Sequence, residues 1–314
     1  MIRVFTSLAE IGTDAAPCAL TIGNFDGVHE AHRRILRRVV ELAAERQLIP
    51  AVLTFDPHPT RVVAPSRAPR LLSTPAQRLA QLEKEGIKQV FVLPFDVPFS
   101  QLSALDFVRQ ILVDKLHAKA VMVGANFRFG NRASGDTHLL QQLGIEYGFT
   151  TEIISGVEMR GRMVSSSEVR RLVDEGAVSM ACRLLGRSYA LDGEVVHGHG
   201  VGSKQTVPTL NLDTKSEILP AVGVYITRTS DLEDARKWPS ITNVGYRPTF
   251  GGDRLTVETF LLAPLEGATP QRIQVEFLRR VRDERKFDSP EALKTQIFKD
   301  VGRAKAYFRR TARL

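Results

Sequence analysis

The 314-residue sequence predicts an α/β protein in two parts: a parallel sheet covered by helices, then a small antiparallel barrel or sandwich with a long terminal helix. Three observations carry this. Up to about residue 185, short apolar runs alternate with amphipathic helical patterns. Beyond Gly186 the segments become short, alternate residue by residue and are separated by Gly and Pro. The length also exceeds what one compact core usually organises.

In the first part Ala19–Ile22, Ala51–Phe55, Val90–Leu93, Ala120–Val123 and Thr150–Ile154 read as strands. Between the first two, Ile35, Leu36, Val39, Val40 and Ala43 recur at helical spacing, with Arg and Glu on the other face. Thr74-Pro75-Ala76-Gln77 opens another helix, because a capping threonine, a proline at the first position and a glutamine three residues after the cap agree. Ser103 with Asp106 marks a third. Strands alternating with helices imply a parallel sheet covered on both faces, whose ligands bind at the carboxyl ends of the strands. In the second part Leu191–Val196, Val222–Thr227, Ser240–Val244, Val257–Leu262 and Ile273–Val281 read as antiparallel strands. Ser289-Pro290 then opens a long helix containing Leu293, Ile297, Val301 and Phe308, suited to lie against the barrel. The boundary falls near residue 185, giving segments 1–184 and 185–314.

Composition sets the class. Apolar residues make up 43% and charged residues 25%, as in a globular protein rather than a disordered one. No run of some twenty apolar residues and no basic leader with an apolar stretch occurs, so a membrane or secreted protein is not expected. Cys18 and Cys182 lie far apart and form no CxxC, which indicates neither a disulfide framework nor a zinc knuckle and fits a reducing cytoplasm. The net charge of +8 comes almost wholly from Arg272–Leu314, where 13 Lys and Arg face 6 Asp and Glu. A solvated basic helix face explains this better than an RNA-binding stripe, so no nucleic-acid partner is expected, although the same field attracts anionic ligands.

Chemistry concentrates in Gly23-Asn24-Phe25-Asp26-Gly27-Val28-His29-Glu30-Ala31-His32, after the first strand and into the first helix. Its glycines let backbone turn closely around a ligand, and a helix N-terminus offers N–H groups to phosphate. His29 and His32, three apart on the first turn, face the same way and can donate to phosphate oxygens as charge builds. A metal pair or two surface histidines are the alternatives, but no third ligand is evident nearby.

This stretch resembles the GxFDGxHxGH signature of the nucleotidylyltransferase superfamily, in the version carried by bacterial bifunctional riboflavin kinase/FAD synthetases. Thr54-Phe55-Asp56-Pro57-His58-Pro59, Gly124-Ala125-Asn126-Phe127-Arg128-Phe129-Gly130 with Gly135-Asp136, and Val164-Ser165-Ser166-Ser167-Glu168-Val169-Arg170 are similar to the family's TFxPHP, GxDFRFG with GD, and ISSTxIR segments, in order. The resemblance implies a Rossmann-like nucleotidylyltransferase domain that adenylylates FMN from ATP, giving FAD and pyrophosphate. Its nucleophile is an anionic phosphate oxygen that needs no general base, so charge neutralisation is the main task. That role falls to His29, His32 and Arg170, with Gly23, Phe25, Asp26, Ser165, Ser166 and Ser167 at the ATP phosphates. Asn126, Phe127 and Asp136 border the flavin by family analogy; Phe127 and Phe129 fit a core role equally well, and Asp136 also fits a helix N-cap. Ala31 and Asn126 depart from the family's glycine and aspartate.

In the second part, Gly193-Glu194-Val195-Val196-His197-Gly198, then Gly200, Gly202 and Pro208-Thr209-Leu210-Asn211, look like the riboflavin kinase signature GxVxHGxxxGRxLGFPTAN. A glycine-rich loop can wrap phosphates, and a threonine hydroxyl and an amide oxygen are hard ligands for Mg2+; a hairpin loop followed by a turn is the plainer reading. Ile241–Phe250 and Val257-Glu258-Thr259-Phe260 are similar to the NxGxRPTF and VExH segments. The resemblance implies Thr209 and Asn211 as metal ligands, Gly202 and Lys204 at the ATP phosphates, Arg247 at the flavin and Glu258 as general base toward the neutral ribityl hydroxyl. A salt bridge from Glu258, for instance to Arg254, is the structural alternative. Ser203, Thr206 and Phe260 replace the family's arginine, glycine and histidine. The expected partners are thus riboflavin, FMN and ATP with Mg2+. The rival readings are a chain retaining only adenylyl transfer, and a flavin- or nucleic-acid-binding protein derived from the enzyme.

Overall fold

The computed structural model describes residues 1–12, 16–196, 209–234, 236–249 and 252–311, the side chains of 247–249 and 252–254 excepted. Contacts divide the chain into two compact units, Met1–Ser166 and Ser167–Leu314.

The first unit is built as β1 (Arg3–Phe5), β2 (Cys18–Ile22), α1 (Glu30–Glu45), β3 (Ile49–Asp56), α2 (Pro59–Val63), α3 (Pro75–Lys84), β4 (Gln89–Pro94), α4 (Val97–Ser100), α5 (Ala104–Asp106), β5 (Ala118–Gly124), α6 (Thr137–Tyr147) and β6 (Thr150–Ile154). A short hairpin, β7 (Glu158–Met159) and β8 (Arg162–Met163), follows. The first six strands form one parallel sheet in the order β1-β4-β3-β2-β5-β6. Alternate strand residues supply its two cores. Ala19, Val52, Val90 and Met122 meet Leu36, Val39 and Leu42 of α1 and Leu82 of α3. Leu20, Leu53, Phe91 and Val121 meet Leu140 of α6 and Val108 and Leu112, which lie in a π-helical segment, Phe107–Lys115, continuing α5. The helix starts read from sequence are present. Thr74 and Gln77 form a reciprocal capping box, and Ser103 accepts from the Asp106 N–H.

In the second unit α7 (Ser166–Asp174) and α8 (Val178–Leu185) precede β9 (Tyr189–Val196), β10 (Thr209–Thr214), β11 (Gly223–Asp231), β12 (Lys237–Thr249), β13 (Gly252–Leu261), β14 (Arg272–Arg282) and α9 (Pro290–Thr311). Both helices pack with the barrel: Ser179 donates to the Leu278 carbonyl at 2.9 Å, and Arg280 to the Glu175 carbonyl. The six strands close as an antiparallel barrel in the order β10-β13-β12-β11-β14-β9. Thr209 and Asn211, which the plainer reading of their motif placed at a turn, lie in β10, the strand that joins β9 to β13 and completes closure.

Inside the barrel Tyr225 and Phe277 meet edge to face at 5.3 Å. Beside them runs a buried chain of hydroxyls, Thr229–Ser240–Thr227–Thr242–Thr259, with each link 2.8 Å. It ties β11, β12 and β13 in one register, because each hydroxyl finds its partner only across the correct neighbour. Outside, Val301, Ala304 and Phe308 of α9 cover Val224, Ile226 and Ile241. The polar chain Arg282–Asp300–Gln296 fixes the helix at 2.8 Å per contact. Leu293 and Ile297, expected on the packed face, are 42% and 38% exposed, because only the later turns of α9 reach that cluster.

Thr242→Val keeps shape but removes the hydroxyl bonded to both Thr227 and Thr259. Denaturant unfolding should show a loss of about 1–3 kcal/mol in the barrel transition. An unchanged midpoint would mean that the hydroxyl chain contributes nothing to stability.

Candidate active sites

In the parallel sheet the chain steps from β2 outward to β3 and β4, then returns to β5 on the other side of β2. Sheets of this kind bind ligands at such a switch point, beyond the carboxyl ends of the strands. Residues 23–29 leave β2 there and residues 125–130 leave β5 there, while 57–59 leave the neighbouring β3.

The turn after β2 is strained. Phe25, Gly27 and Val28 all have positive φ, at 48°, 79° and 38°, and for a β-branched valine this is an outlier. Asp26, only 3% exposed, holds it in place. Its carboxylate accepts from the Leu72 N–H at 2.9 Å and from the Ser73 N–H and hydroxyl at 3.2 and 3.3 Å. The Asp26 carbonyl accepts from the Ser166 hydroxyl at 2.9 Å, and the Gly27 N–H donates to the Ser73 hydroxyl. Arg78, buried on α3, donates to the Asn24 carbonyl at 3.2 Å. Burial pulls its pKa down from the usual value, against the attraction of Asp56 and Asp26. Phe25 is buried beneath Gly23, where a Cβ would lie 3.2 Å from its ring. Of the residues expected at the ATP phosphates, Asp26 and Phe25 are thus built into the turn itself.

His29 caps α1. Its Nδ1 accepts from the His32 N–H at 3.3 Å, so the neutral ring carries its proton on Nε2 as a donor. The two imidazoles stack at 3.7 Å with 13° between planes, and Phe25 lies 5.0 Å from His32. The positive end of a sixteen-residue helix lies at the same point.

His58 caps α2 through Nδ1, which accepts from the Thr60 N–H, and its Nε2 lies 3.0 Å from the Asn24 side chain. The atom that faces Nε2 is the Asn24 amide nitrogen, which donates when that ring nitrogen carries no proton. His58, Asn24, Ser73 and Arg78 carried no role in the sequence reading, although His58 and Asn24 lie inside recognised motifs.

At the β5 end Phe129 is core, packed where Gly135 has no side chain; a Cβ there would sit 2.7 Å from the ring. Phe127 stacks on it at 5.5 Å and is half-buried, while Asn126 is exposed. Asp136 caps α6, accepting from the Leu139 N–H at 2.9 Å, and lies 3.5 Å from Arg128. That N–H, then the Arg128 charge, holds its pKa below the ordinary carboxylate range. Ser165 and Ser166 are half-buried in the first unit, Ser166 being the first residue of α7, whereas Ser167 and Arg170 lie further along α7 in the second.

In the barrel the register places Asn211 of β10, Glu258 of β13 and Asn243 of β12 side by side, on one face of three adjacent strands. Thr209 is two residues from Asn211 on that face and opposite Phe260. Thr209 is exposed, and Asn211 and Glu258 are half-buried. Hydroxyl, amide and carboxylate oxygens on one face suit a hard divalent cation such as Mg2+. Arg254 lies four residues from Glu258 along β13, about 13 Å of strand. Asn243 also donates to Glu284 at 3.4 Å. The backbone of Arg247 lies in β12 opposite Arg254, and its side chain is outside the described residues, as are Gly202 and Lys204. The thiols take no part: Cys18 donates to the Leu116 carbonyl, with its pKa pushed up to about 12 by burial, and that of Cys182 is raised for the same reason.

A strained glycine turn feeding a histidine-capped helix at a sheet switch point defines the first unit as a nucleotide-binding transferase fold, and a closed barrel with its own polar face follows it. Comparison with known proteins carries the assignment further. The family described as FAD synthetase matches residues 12–168, and that described as riboflavin kinase matches 185–308. The bifunctional riboflavin kinase/FMN adenylyltransferase of Pseudomonas fluorescens is 39% identical, over 92% of both chains. That of Escherichia coli K12 is 36% identical, over 93% of both. A Streptococcus pneumoniae structure described as a macrolide-efflux protein shares the fold, with a TM-score of 0.85 and 26% identity over 96% of this chain and 98% of its own. No helix among the described residues is long and apolar enough to cross a membrane. The chain belongs to the bifunctional riboflavin kinase/FMN adenylyltransferase family.

Asp26→Asn turns an amide N–H2 toward backbone donors that now meet a carboxylate. Thermal unfolding should reveal about 1–3 kcal/mol lost from the first unit. FAD formation should fall at least tenfold as the turn relaxes. A stable variant with full FAD synthesis would show that the turn does not need this anchor.

Proposed function

We propose that this chain phosphorylates riboflavin to FMN and then adenylylates FMN to FAD, with segment 185–314 responsible for the first step and 1–184 for the second. The observation that carries the reading is the pair of separate family matches, one on each part of the chain. The polar groupings described above support it.

In the second step an FMN phosphate oxygen attacks the α-phosphorus of ATP. The new P–O bond forms as the bond to the β-phosphate oxygen breaks, and pyrophosphate leaves. His29 and His32 donate to the oxygens on which charge accumulates, and the α1 N-terminus adds its field. Arg170 and the hydroxyls of Ser165, Ser166 and Ser167 hold the nucleotide phosphates. Asp26 and Phe25 shape the turn that places these donors, Gly23 gives the Phe25 ring room, and Asn126 and Phe127 meet the flavin end. Asp136 positions α6 beside them.

In the first step the ribityl 5′-hydroxyl attacks the γ-phosphorus. Its proton passes to the Glu258 carboxylate, and ADP departs. Thr209 and Asn211 would hold Mg2+, which supplies charge neutralisation at the transferring phosphoryl group. Gly202 and Lys204 are assigned to the ATP phosphates and Arg247 to the flavin, on the resemblance. With two unpaired thiols, the reducing cytoplasm is the compartment that suits the chain.

Incubation of the protein with riboflavin, ATP and Mg2+, resolved chromatographically over time, should give FMN and then FAD. FAD formed only from supplied FMN would select a single-activity enzyme, and no product at all would sink the assignment.

His32→Ala should reduce FAD formation by about a hundredfold to a thousandfold and leave riboflavin phosphorylation intact. An unchanged rate of FAD synthesis removes His32 from the mechanism.

Glu258→Gln should lower phosphorylation by about a hundredfold or more, while FMN adenylylation and the melting temperature persist. If the residue is structural, the rate loss will instead follow a lowered barrel melting temperature.

A further inference from the structure

The basic C-terminal segment folds into something more specific than a solvated face. Between β14 and α9 lies a cavity of about 790 Å3, lined by Arg279, Arg280, Arg303, Arg309 and Arg310, with no carboxylate among the described residues that line it. A second cavity of about 570 Å3 shares Arg279 and Tyr307 with the first and adds Arg183. Arg280 is engaged, with Asp283 at 3.1 Å and with the Val222 carbonyl. Arg279, Arg303, Arg309 and Arg310 are exposed and form no ion pair among the described residues.

Helix ends explain part of this arrangement. Arg309, Arg310 and Arg183 sit in the last turns of α9 and α8, where cations offset the negative dipole end. That account does not reach Arg279 or Arg303. Arg279, Arg280 and Val281 are consecutive on β14 yet line one cavity, which strict strand alternation forbids. Two register shifts against β11, between Val224 and Tyr225 and between Ile226 and Thr227, interrupt the alternation along this stretch, and all three residues contribute to the cavity wall. Bulges recur beside functional sites.

We propose that this groove is a binding site for a ligand that joins a phosphoanhydride to a planar ring, the chemistry shared by adenine nucleotides and a flavin dinucleotide. Guanidinium forks match phosphate oxygens in pairs. Ile226, Val281 and Ala306 give an apolar floor, and the Tyr307 ring gives a surface on which a base can lie. The volume suits a nucleotide-sized ligand. The site is distinct from the Asn211–Glu258 face. Around the closed barrel Arg279, Ile226, Ile241, Phe260 and Thr209 form one cross-strand row, so four strand spacings, about 19 Å of sheet, separate Arg279 from Thr209.

The test is calorimetric titration of the full chain and of an Arg279→Gln/Arg303→Gln double variant with ADP, with FAD and with pyrophosphate. The variant should lose one binding event, its Kd rising at least tenfold, while initial rates of riboflavin phosphorylation and FAD formation stay unchanged. Arg303→Gln alone, at an exposed position, should show a smaller loss in the same direction with an unaltered melting curve. FAD binding more tightly than ADP identifies the dinucleotide as the ligand, and the reverse identifies the adenine nucleotide. Superimposable isotherms for wild type and variant overturn the proposal. So does pyrophosphate binding as tightly as either nucleotide, because the ring then contributes nothing. Single-stranded RNA that binds the groove and is not displaced by ADP or FAD likewise overturns it.

Discussion

The buried carboxylate of Asp26 is the constraint on which the first site depends. A chain leaving β2 must reverse within a few residues to start α1, and it does so through left-handed backbone at Phe25, Gly27 and Val28. Such conformations cost free energy that the surroundings must supply. Here the supply is a set of charge-assisted hydrogen bonds from Leu72 and Ser73, residues distant in sequence, reinforced by Ser166 and Arg78. With the turn fixed, the His29 cap, the stacked His32 and the open end of α1 fall into place together. A preorganised donor set of this kind does not have to reorganise as charge develops.

The barrel solves the same problem differently. Its polar face needs Asn211, Glu258 and Asn243 on adjacent strands at one level, and a slip of one residue would turn each to the other side. The buried hydroxyl chain holds β11, β12 and β13 against that slip from within, while α9 covers the outside. Positioning in the first unit thus comes from a strained loop tied by long-range bonds, and in the second from strand register.

Periodicity made most elements legible. The five strands and the capping box at Thr74 in the first part stand out because local pattern and local chemistry agree. β1 has three residues and β10 only two apolar ones, Leu210 and Leu212, so neither announces itself. Motifs drew attention to both candidate sites but not to the direction of each side chain. Asp26 reads as a phosphate neighbour because it sits among phosphate-binding glycines, yet its carboxylate faces backbone donors 46 residues away. Arg78 looks like any surface arginine of an amphipathic helix until the fold buries it against Asn24. The His58–Asn24 contact joins two motifs that sequence alone leaves separate. The arginine groove is hidden for the same reason, since its residues come from β14 and α9, which are apart in sequence and meet only in the fold.

The central claim is that one chain performs two chemically different transfers from ATP. Starting from riboflavin, parallel reactions with γ-labelled and α-labelled ATP test it most directly, with the FAD formed then split at its anhydride into FMN and AMP. The account predicts γ-label only in the FMN half and α-label only in the AMP half, in equal amounts. Label from the α position in FAD made from added FMN, with no γ-label ever entering riboflavin, would contradict it.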